Sequence, residues 1–408
     1  MTATAHPVTR VGTGWISLLS LANLGLWLGY FGPLQVLLPN QAEQIAGDGK
    51  TTALAVVTGI GALVAVVTGP VAGALSDITT ARTGRRHTWI AAGALIGCAG
   101  LAVLAGQRTL LGLTLGWCLA QAGLNALQAG LTAVIPNRTP VNQRGVVSGW
   151  VGLTQSVGVV AGVLMVTLVV TGNGGYFLIA GAVLVTVLPF VLATPDPPIT
   201  AAEAPRFRAF PFGLRHDRDF TWAWITRFLV QLGNAMATLY LLYFLRDRVH
   251  YEEIFPGESA DDGLAVLIVV YTVATVLTVV VGGVISDRTG RRKPSVILSG
   301  YVMALAAALL AFWPTWTGSL VAAVVLGLGF GVYLSVDQAL ITQVLPAAED
   351  RARDLGVINI ANSAPQVLGP VIAFPLVKYL GGYPVLYLAV AAVTVLGSVL
   401  VTKIRSVD

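Results

Sequence analysis

Residues 73–86, GALSDITTARTGRR, return in shortened form as residues 283–292, GVISDRTGRR. Further identities follow in the same order at a separation of 210 residues, and they pair Gln128 with Gln338, Thr132 with Thr342 and Pro136 with Pro346. Single identities of this kind carry little weight, but their common order indicates an internal duplication. We therefore predict that the two halves of the chain share one architecture.

The composition is that of a protein embedded in a bilayer. Of the 408 residues, 55% are hydrophobic and only 11% are charged, whereas a soluble domain is about 25% charged. Twelve apolar runs are long enough to cross a membrane, at residues 15–38, 52–76, 88–106, 109–135, 146–171, 175–194, 220–245, 262–286, 295–313, 317–345, 355–377 and 383–402. The sequence thus predicts an all-α membrane protein with twelve transmembrane helices in two pseudo-symmetric six-helix bundles.

The predicted bundles comprise residues 1–194 and 219–408. The segment between them, residues 195–218, contains several prolines among charged residues, a composition that cannot span a bilayer. We expect this segment to be a cytoplasmic linker.

The basic residues that flank the spans indicate the orientation. With a cytoplasmic N-terminus, 18 of them lie inside and five outside, the five being Lys50, Arg108, Arg246, Arg248 and Lys378. Because basic residues favour the cytoplasmic side, we expect both termini in the cytoplasm. The chain begins without the pattern of a signal peptide. Its abundance of Arg over Lys and of Ala is typical of a bacterial protein, which predicts the bacterial inner membrane.

Several classes of function have no support in the sequence. Cys98 and Cys118 both fall in apolar runs without metal-ligand spacing, so we expect neither a metal site nor a disulfide. No HExxH, GxSxG or phosphate-binding lysine motif is present, so an enzyme is not expected. The net charge of +5 requires no nucleic-acid partner. We expect no cofactor other than a coupling ion, and a monomer whose partners are the lipid bilayer and a small-molecule substrate.

One acidic residue lies deep inside a predicted span. The stretch VLGLGFGVYLSVDQALITQVLP, residues 325–346, carries Asp337, and a carboxylate at such a depth costs about 2.5 to 3.5 kcal/mol on insertion scales. Arg227, the single basic residue within a span, lies at a similar depth of roughly 10 to 12 Å. We predict that the two residues form an ion pair and serve proton coupling. Alternatively, Asp337 is a structural acid that is locked to a neighbour.

No other group offers an equivalent proton site. None of the histidines, which are His6, His87, His216 and His250, falls inside a predicted span. Asp337 therefore remains the candidate for the titrating group.

Amide and aromatic side chains form stripes along the predicted helices. Amides can bind sugar hydroxyls and aromatic rings can stack on the apolar face of a sugar, and the spacings i, i+4 and i+7 place such residues on one helix face. The candidate substrate-binding residues are Asn23, Trp27, Tyr30, Gln121, Asn125, Gln128, Gln231, Asn234, Tyr333, Gln338, Asn359, Asn362 and Gln366. Alternatively, these amides join neighbouring helices by hydrogen bonds.

The repeated loop resembles the motif that members of the major facilitator superfamily carry between spans 2 and 3 and between spans 8 and 9. Within that superfamily, SDITTARTGRRH (residues 76–87) and LGVINIANSAPQ (residues 355–366) resemble the sucrose-transporter branch of the glycoside and cation symporters. The resemblance implies proton-coupled symport of a sugar, such as the disaccharides sucrose or maltose, with spans 1, 4, 7 and 10 lining the cavity. Span 4 departs from this branch because it lacks an acidic residue. A proton-driven exporter of drugs or sugars and a transport-inactive nutrient sensor are the alternatives.

The resemblance also implies a gate at the cytoplasmic ends of the helices. Carboxylates that end a helix can pair with arginines of the following loop, and glycines permit close approach of the backbone. The residues predicted to form this gate are Gly73, Asp77, Arg82, Gly84, Arg85, Arg86, Gly283, Asp287, Arg288, Gly290, Arg291 and Arg292. Alternatively, these arginines only set the topology.

Overall fold

The computed structural model describes residues 10–140, 143–198, 200, 218–289, 292–344 and 351–405, and the regular structure in these ranges is entirely helical. Nine helical segments of this described part are long and apolar enough to cross a membrane, or ten if the bent pair Arg218–Leu239 and Leu241–Val249 is one span. The first of these segments, Thr13–Ile78, contains the first two predicted spans. The chain is a multi-pass, all-α membrane protein, as predicted.

Helices are required because a bilayer offers no water to the backbone, so each N–H and C=O group must be bonded within its own segment. The chain forms two compact units. Unit 1 comprises Met1–Gly47 and Ile60–Phe210, and unit 2 comprises Asp48–Gly59 and Pro211–Asp408. The linker at 195–218 stays a prediction, because residues 201–217 lie outside the described part of the chain.

The first half of the chain contains α1 (Thr13–Gly32), α2 (Leu38–Ala46), α3 (Lys50–Ile78), α4 (Arg85–Ala105), α5 (Leu110–Arg138), α6 (Arg144–Leu164) and α7 (Gly175–Ala193). A π-helical segment, Pro33–Leu37, joins α1 to α2, and a second, Met165–Val169, extends α6. Polar side chains define some of the helix ends. The Thr109 hydroxyl accepts a hydrogen bond from the Gly112 N–H at 3.1 Å and begins α5.

The second half contains α8 (Arg218–Leu239), α9 (Leu241–Phe244), α10 (Tyr251–Ile254), α11 (Ala260–Thr289), α12 (Arg292–Phe312), α13 (Trp316–Val344), α14 (Arg351–Tyr379) and α15 (Tyr383–Leu400). The π-helical segment Leu245–Val249 continues α9. Together α8 and α9 correspond to one predicted span that is bent at Tyr240. The helix α14 contains three prolines, at Pro365, Pro370 and Pro375, each of which lacks a backbone donor.

The two halves repeat the same helix packing. In the first half α1 packs on α6 and α7, and α4 packs on α5 and α7; in the second half α8 packs on α14 and α15, and α12 packs on α13 and α15. When the six spans of each half are numbered from that half's first helix, these packed pairs are the same in both halves. The packing therefore reproduces the duplication that is visible in the sequence.

Glycines permit the closest of these helix contacts. A Cβ atom on Gly123 of α5 would collide with the backbone of Gly97 of α4. In the corresponding helices of unit 2, a Cβ on Gly329 of α13 would lie 3.0 Å from the Ser299 carbonyl oxygen of α12. Small residues allow helix backbones to approach one another where no water is available to drive association.

Candidate functional site

An ion pair lies in the interior of unit 2. Arg227 of α8 and Asp337 of α13 approach to 3.1 Å between Nη1 and Oδ2, and each side chain is 6% exposed. The ion pair predicted from the similar depth of the two residues is therefore confirmed. The two side chains can meet because α8 and α13 pack against each other.

The surroundings of this pair are apolar. Val230, three residues after Arg227, and Val336, which precedes Asp337, are both fully buried. They belong to a core formed by residues of α8, α12 and α13 together with Val401 and Ile404, which follow α15. A charged pair in such a medium is held by the attraction between its partners, because neither charge keeps its hydration; removal of one partner typically costs 3–5 kcal/mol.

Aromatic residues extend the site along α13. Tyr333 lies one helical turn before Asp337 and is 1% exposed. Its ring stacks on that of Phe330 at a centroid distance of 6.1 Å, and Phe330 in turn lies 6.0 Å from Tyr271 of α11. The predicted substrate-binding residue Tyr333 is thus fully buried beside the ion pair.

The remaining candidates of unit 2 are only partly described. Gln231 and Asn234 are half-buried on α8, and the Asn234 Oδ1 atom is buried without a hydrogen-bond partner among the described residues. The side chains of the other candidates lie outside the described part of the structure, and these are Gln338, Asn359, Asn362 and Gln366. Their predicted role stays a prediction.

The candidates of unit 1 are uncharged, and two pairs of them are joined by hydrogen bonds. The Tyr30 hydroxyl of α1 lies 3.3 Å from the Gln128 Oε1 atom of α5, to which it donates a hydrogen bond. On α5, the Asn125 side-chain amide donates to the Gln121 Oε1 atom at 2.9 Å. The structure therefore brings the predicted stripes of α1 and α5 together.

The candidate residues of unit 1 differ in their exposure to solvent. Trp27, Tyr30 and Gln128 are half-buried, whereas Gln121 and Asn125 are buried. The rings of Trp27 and Tyr30 lie 5.8 Å apart and form an aromatic surface next to an amide. Such a combination can stack on and hydrogen-bond an uncharged polar molecule.

Asn23 behaves differently from the rest of its stripe. Its side-chain amide donates to the Leu19 carbonyl oxygen of its own helix at 2.8 Å, and the residue is 6% exposed. This geometry matches the structural alternative more closely than the binding role.

The first copy of the loop motif forms a cluster at the end of α3. The Arg86 guanidinium contacts the Asp77 carboxylate and the Ser76 hydroxyl. The Ser76 hydroxyl also donates to the Gly73 carbonyl oxygen at 2.8 Å. Arg86 is 5% exposed, so its charge is stabilised by this pairing.

The other predicted gate residues differ in how much of them is described. Arg82 is exposed, and Arg85 is half-buried. In the second copy, Arg292 begins α12. The side chains of Asp287 and Arg288, the surroundings of Gly283, and all of Gly290 and Arg291 lie outside the described part of the structure. The gate itself stays a prediction.

Sequence reasoning missed an acid that holds the start of α4. The Asp196 Oδ2 atom accepts hydrogen bonds from the Arg86 and His87 N–H groups, at 2.7 and 2.8 Å. Gly84 precedes the helix with φ +95°, and a Cβ atom there would collide with Asp196. Nothing in the sequence around Asp196 indicates this role, because the N–H groups from which it accepts lie about 110 residues earlier in the chain.

The start of α4 differs from the prediction. The predicted run began at residue 88, but the helix begins at Arg85 and includes His87. His87 is 5% exposed, and its Nε2 atom shares a hydrogen bond with the Thr194 hydroxyl at 3.2 Å. It lies in the first turn of α4, at the end of the span rather than its centre.

Comparison with protein families assigns the chain. The model of the Major Facilitator Superfamily matches residues 16–260 and 257–408. The chain therefore belongs to the major facilitator superfamily, and membership indicates a transporter rather than an enzyme. The search of curated protein sequences found no match.

Solved structures share the fold across the whole chain. A peptide transporter POT mutant matches with a TM-score of 0.75 at 12% identity and covers 98% of both chains. A mutant of the nucleoside transporter NupG matches with a TM-score of 0.73 at 15% identity, over 96% of this chain and 99% of that one. A bacterial homologue of the human lysosomal transporter Spinster matches with a TM-score of 0.66 at 15% identity, over 96% and 94%. At these identities the likeness shows the fold alone.

The role of Asp196 can be tested by substitution. Asp196→Ala removes the acceptor of two N–H groups at a helix start, so we expect a loss of about 1 kcal/mol and a melting temperature lower by about 2–4 °C in detergent. Asp196→Asn keeps an oxygen acceptor and should lose less. The control is Asp48→Ala, which replaces an exposed acid. Equal melting temperatures for Asp196→Ala and Asp48→Ala would contradict the assignment.

Proposed function

We propose that this member of the major facilitator superfamily is a secondary active transporter that couples the inward movement of a proton to that of a sugar, such as the disaccharides sucrose or maltose. The observation that carries the proposal is the buried ion pair of Arg227 and Asp337. Protons are the coupling ion, and no other cofactor takes part. We further propose that the protein works as a monomer in a bacterial inner membrane with both termini in the cytoplasm.

The ion pair has the properties that a proton carrier needs. Burial favours the neutral form of Asp337, whereas the guanidinium of Arg227 favours the charged form. These two influences oppose each other at one carboxyl group. A change in water access, or a polar substrate bound nearby, can therefore decide whether Asp337 holds a proton. The group would be loaded from one side of the membrane and unloaded to the other as access alternates.

The energy available from one proton is sufficient for accumulation. A charge that moves inward through 100 mV releases about 2.3 kcal/mol, and about 1.4 kcal/mol corresponds to a tenfold concentration ratio. A pH gradient adds to this energy. Coupling to one proton therefore supports accumulation of an uncharged solute by well over tenfold.

The half-buried side chains of unit 1 support the proposed class of substrate. The half-buried residues Trp27, Tyr30 and Gln128 offer two rings and an amide, and the candidate set of this unit contains no charged group. An uncharged solute with many hydroxyl groups and an apolar face matches these side chains. The resemblance of residues 76–87 and 355–366 to the sucrose-transporter branch supports the same class.

The substrate class can be tested by thermal shift on the purified protein. We expect a disaccharide from a panel of mono- and disaccharides to raise the melting temperature, because ligand that binds only the folded state stabilises it. Nucleosides, dipeptides and lipophilic cations are the comparison ligands, and we expect no shift from them. A shift from lipophilic cations alone would favour the exporter, and a shift from nucleosides or dipeptides alone would replace the sugar by that class.

The coupling role can be tested in proteoliposomes with an imposed pH gradient. Asp337→Asn retains the size and hydrogen bonding of the side chain but cannot ionise, so we expect loss of uphill uptake while exchange of sugar across the membrane persists. Arg227→Ala leaves a buried carboxyl without its partner, which should impair both uptake and exchange. The control is Asp48→Asn, an exposed acid. Accumulation against a gradient by Asp337→Asn would place coupling elsewhere or exclude proton symport, and loss of exchange together with uptake would make Asp337 a structural acid.

A further inference from the structure

The helix α3 belongs to both compact units. Its first ten residues, from Lys50 to Gly59, group with unit 2, whereas its remaining residues from Ile60 group with unit 1. The helix is continuous across this change. The contacts that attach the first turns of α3 to unit 2 are therefore of special interest.

The first residue of α3 supplies one of these contacts. The Lys50 ammonium lies 2.8 Å from the Asp247 Oδ1 atom, and it lies 4.9 Å from the centre of the Tyr243 ring. The Tyr383 hydroxyl donates to the second carboxylate oxygen, Asp247 Oδ2, at 2.6 Å. The ammonium thus meets a carboxylate and a ring face together, and a tyrosine orients that carboxylate.

This arrangement combines two kinds of group that bind an ammonium ion. A carboxylate supplies a charge-assisted hydrogen bond, and the face of an aromatic ring attracts a cation. The supporting residues are rigidly placed, since Tyr243 is fully buried and Tyr383 is 6% exposed. The Asp247 side chain is 34% exposed, which leaves a route for the ammonium to leave and return.

A second contact holds the same end of α3. The Lys378 ammonium donates to the Thr52 hydroxyl at 2.8 Å. Lys50 and Lys378 are both among the five basic residues that the charge pattern places outside. The site lies at the first turn of α3, whereas the loop motif of residues 73–86 begins in the last turns of the same helix.

We propose that Asp247, Tyr243 and Tyr383 form a binding site for a primary ammonium group, that Lys50 occupies it as a tethered ligand, and that release of Lys50 frees the first turn of α3 from unit 2 during transport. We name these four residues the α3 clasp. The ion pair of Lys50 and Asp247 is partly exposed and can break at little cost. The proposal is independent of the sugar and of the proton.

The clasp can be tested by thiol labelling in nanodiscs, after Cys98 and Cys118 are replaced by Ala. The reporter is Ala53→Cys, because Ala53 is 2% exposed and lies in the part of α3 that groups with unit 2. We expect Lys50→Ala to raise the rate of maleimide labelling about fivefold, as loss of a partly exposed ion pair and a cation–π contact implies. The control reporter, Ala62→Cys, is 5% exposed and groups with unit 1, so its labelling rate should not change.

Chemical rescue tests the ammonium site itself. Propylammonium replaces the atoms that Lys50→Ala removes, so we expect millimolar propylammonium to slow labelling of Ala53→Cys again, and propanol to have no effect. Asp247→Asn added to Lys50→Ala should abolish the rescue. The charge swap of Lys50→Asp with Asp247→Lys should restore slow labelling and shows that the variants fold.

Two results would overturn the proposal. One is an unchanged labelling rate of Ala53→Cys in Lys50→Ala. The other is equal slowing by propylammonium and propanol, or slowing that persists in Asp247→Asn, since the site would then not recognise an ammonium group.

Discussion

Two opposite charges in an apolar helix bundle must find each other, and this constraint organises unit 2. Asp337 and Arg227 lie 110 residues apart in the chain, yet each needs the other because both charges are buried. Their contact sets the register of α8 against α13. The same contact places one titratable carboxyl group beside Tyr333 and the apolar core. A structural requirement of the bilayer therefore creates a group that is suited to carry a proton.

The two halves share their packing but differ in their chemistry. The separation of 210 residues that pairs Gln128 with Gln338 also pairs Leu127 with Asp337, and Leu127 is fully buried. Where one half has an apolar residue in its core, the other has the carboxylate. The candidate substrate-binding residues of unit 1 are rings and amides, whereas the core of unit 2 contains the Arg227 and Asp337 pair. The absence of an acid from span 4 is the sequence counterpart of this asymmetry.

Regular patterns in the sequence predicted the helices and the ion pair of unit 2. The duplication and the apolar runs predicted the helices, and the similar depth of Arg227 and Asp337 predicted their contact. Both inferences rest on periodicity and length, which the bilayer imposes strictly. The start of α4 was misplaced by three residues, because Arg85, Arg86 and His87 are polar yet helical. Their burial depends on Asp196 and Asp77, which periodicity cannot reveal.

Contacts between distant polar residues were the second kind of miss. Lys50 was recognised only as a basic residue outside the spans and Asp247 was not singled out, since nothing in their local sequence indicates a partner. Asn23 shows the converse case, because a residue on a polar stripe can satisfy its amide within its own helix. Spacing identifies a helix face, but only the packed structure decides which side chains of that face remain available to a ligand.

The central claim is that Asp337 carries the proton that moves with the sugar. The most direct measurement records the internal pH of proteoliposomes, with the membrane potential clamped, when the stabilising disaccharide is added outside. The account predicts that the lumen acidifies with the unmodified protein and that its pH stays constant with Asp337→Asn, while labelled sugar still exchanges in both. Equal acidification by the two proteins would contradict it.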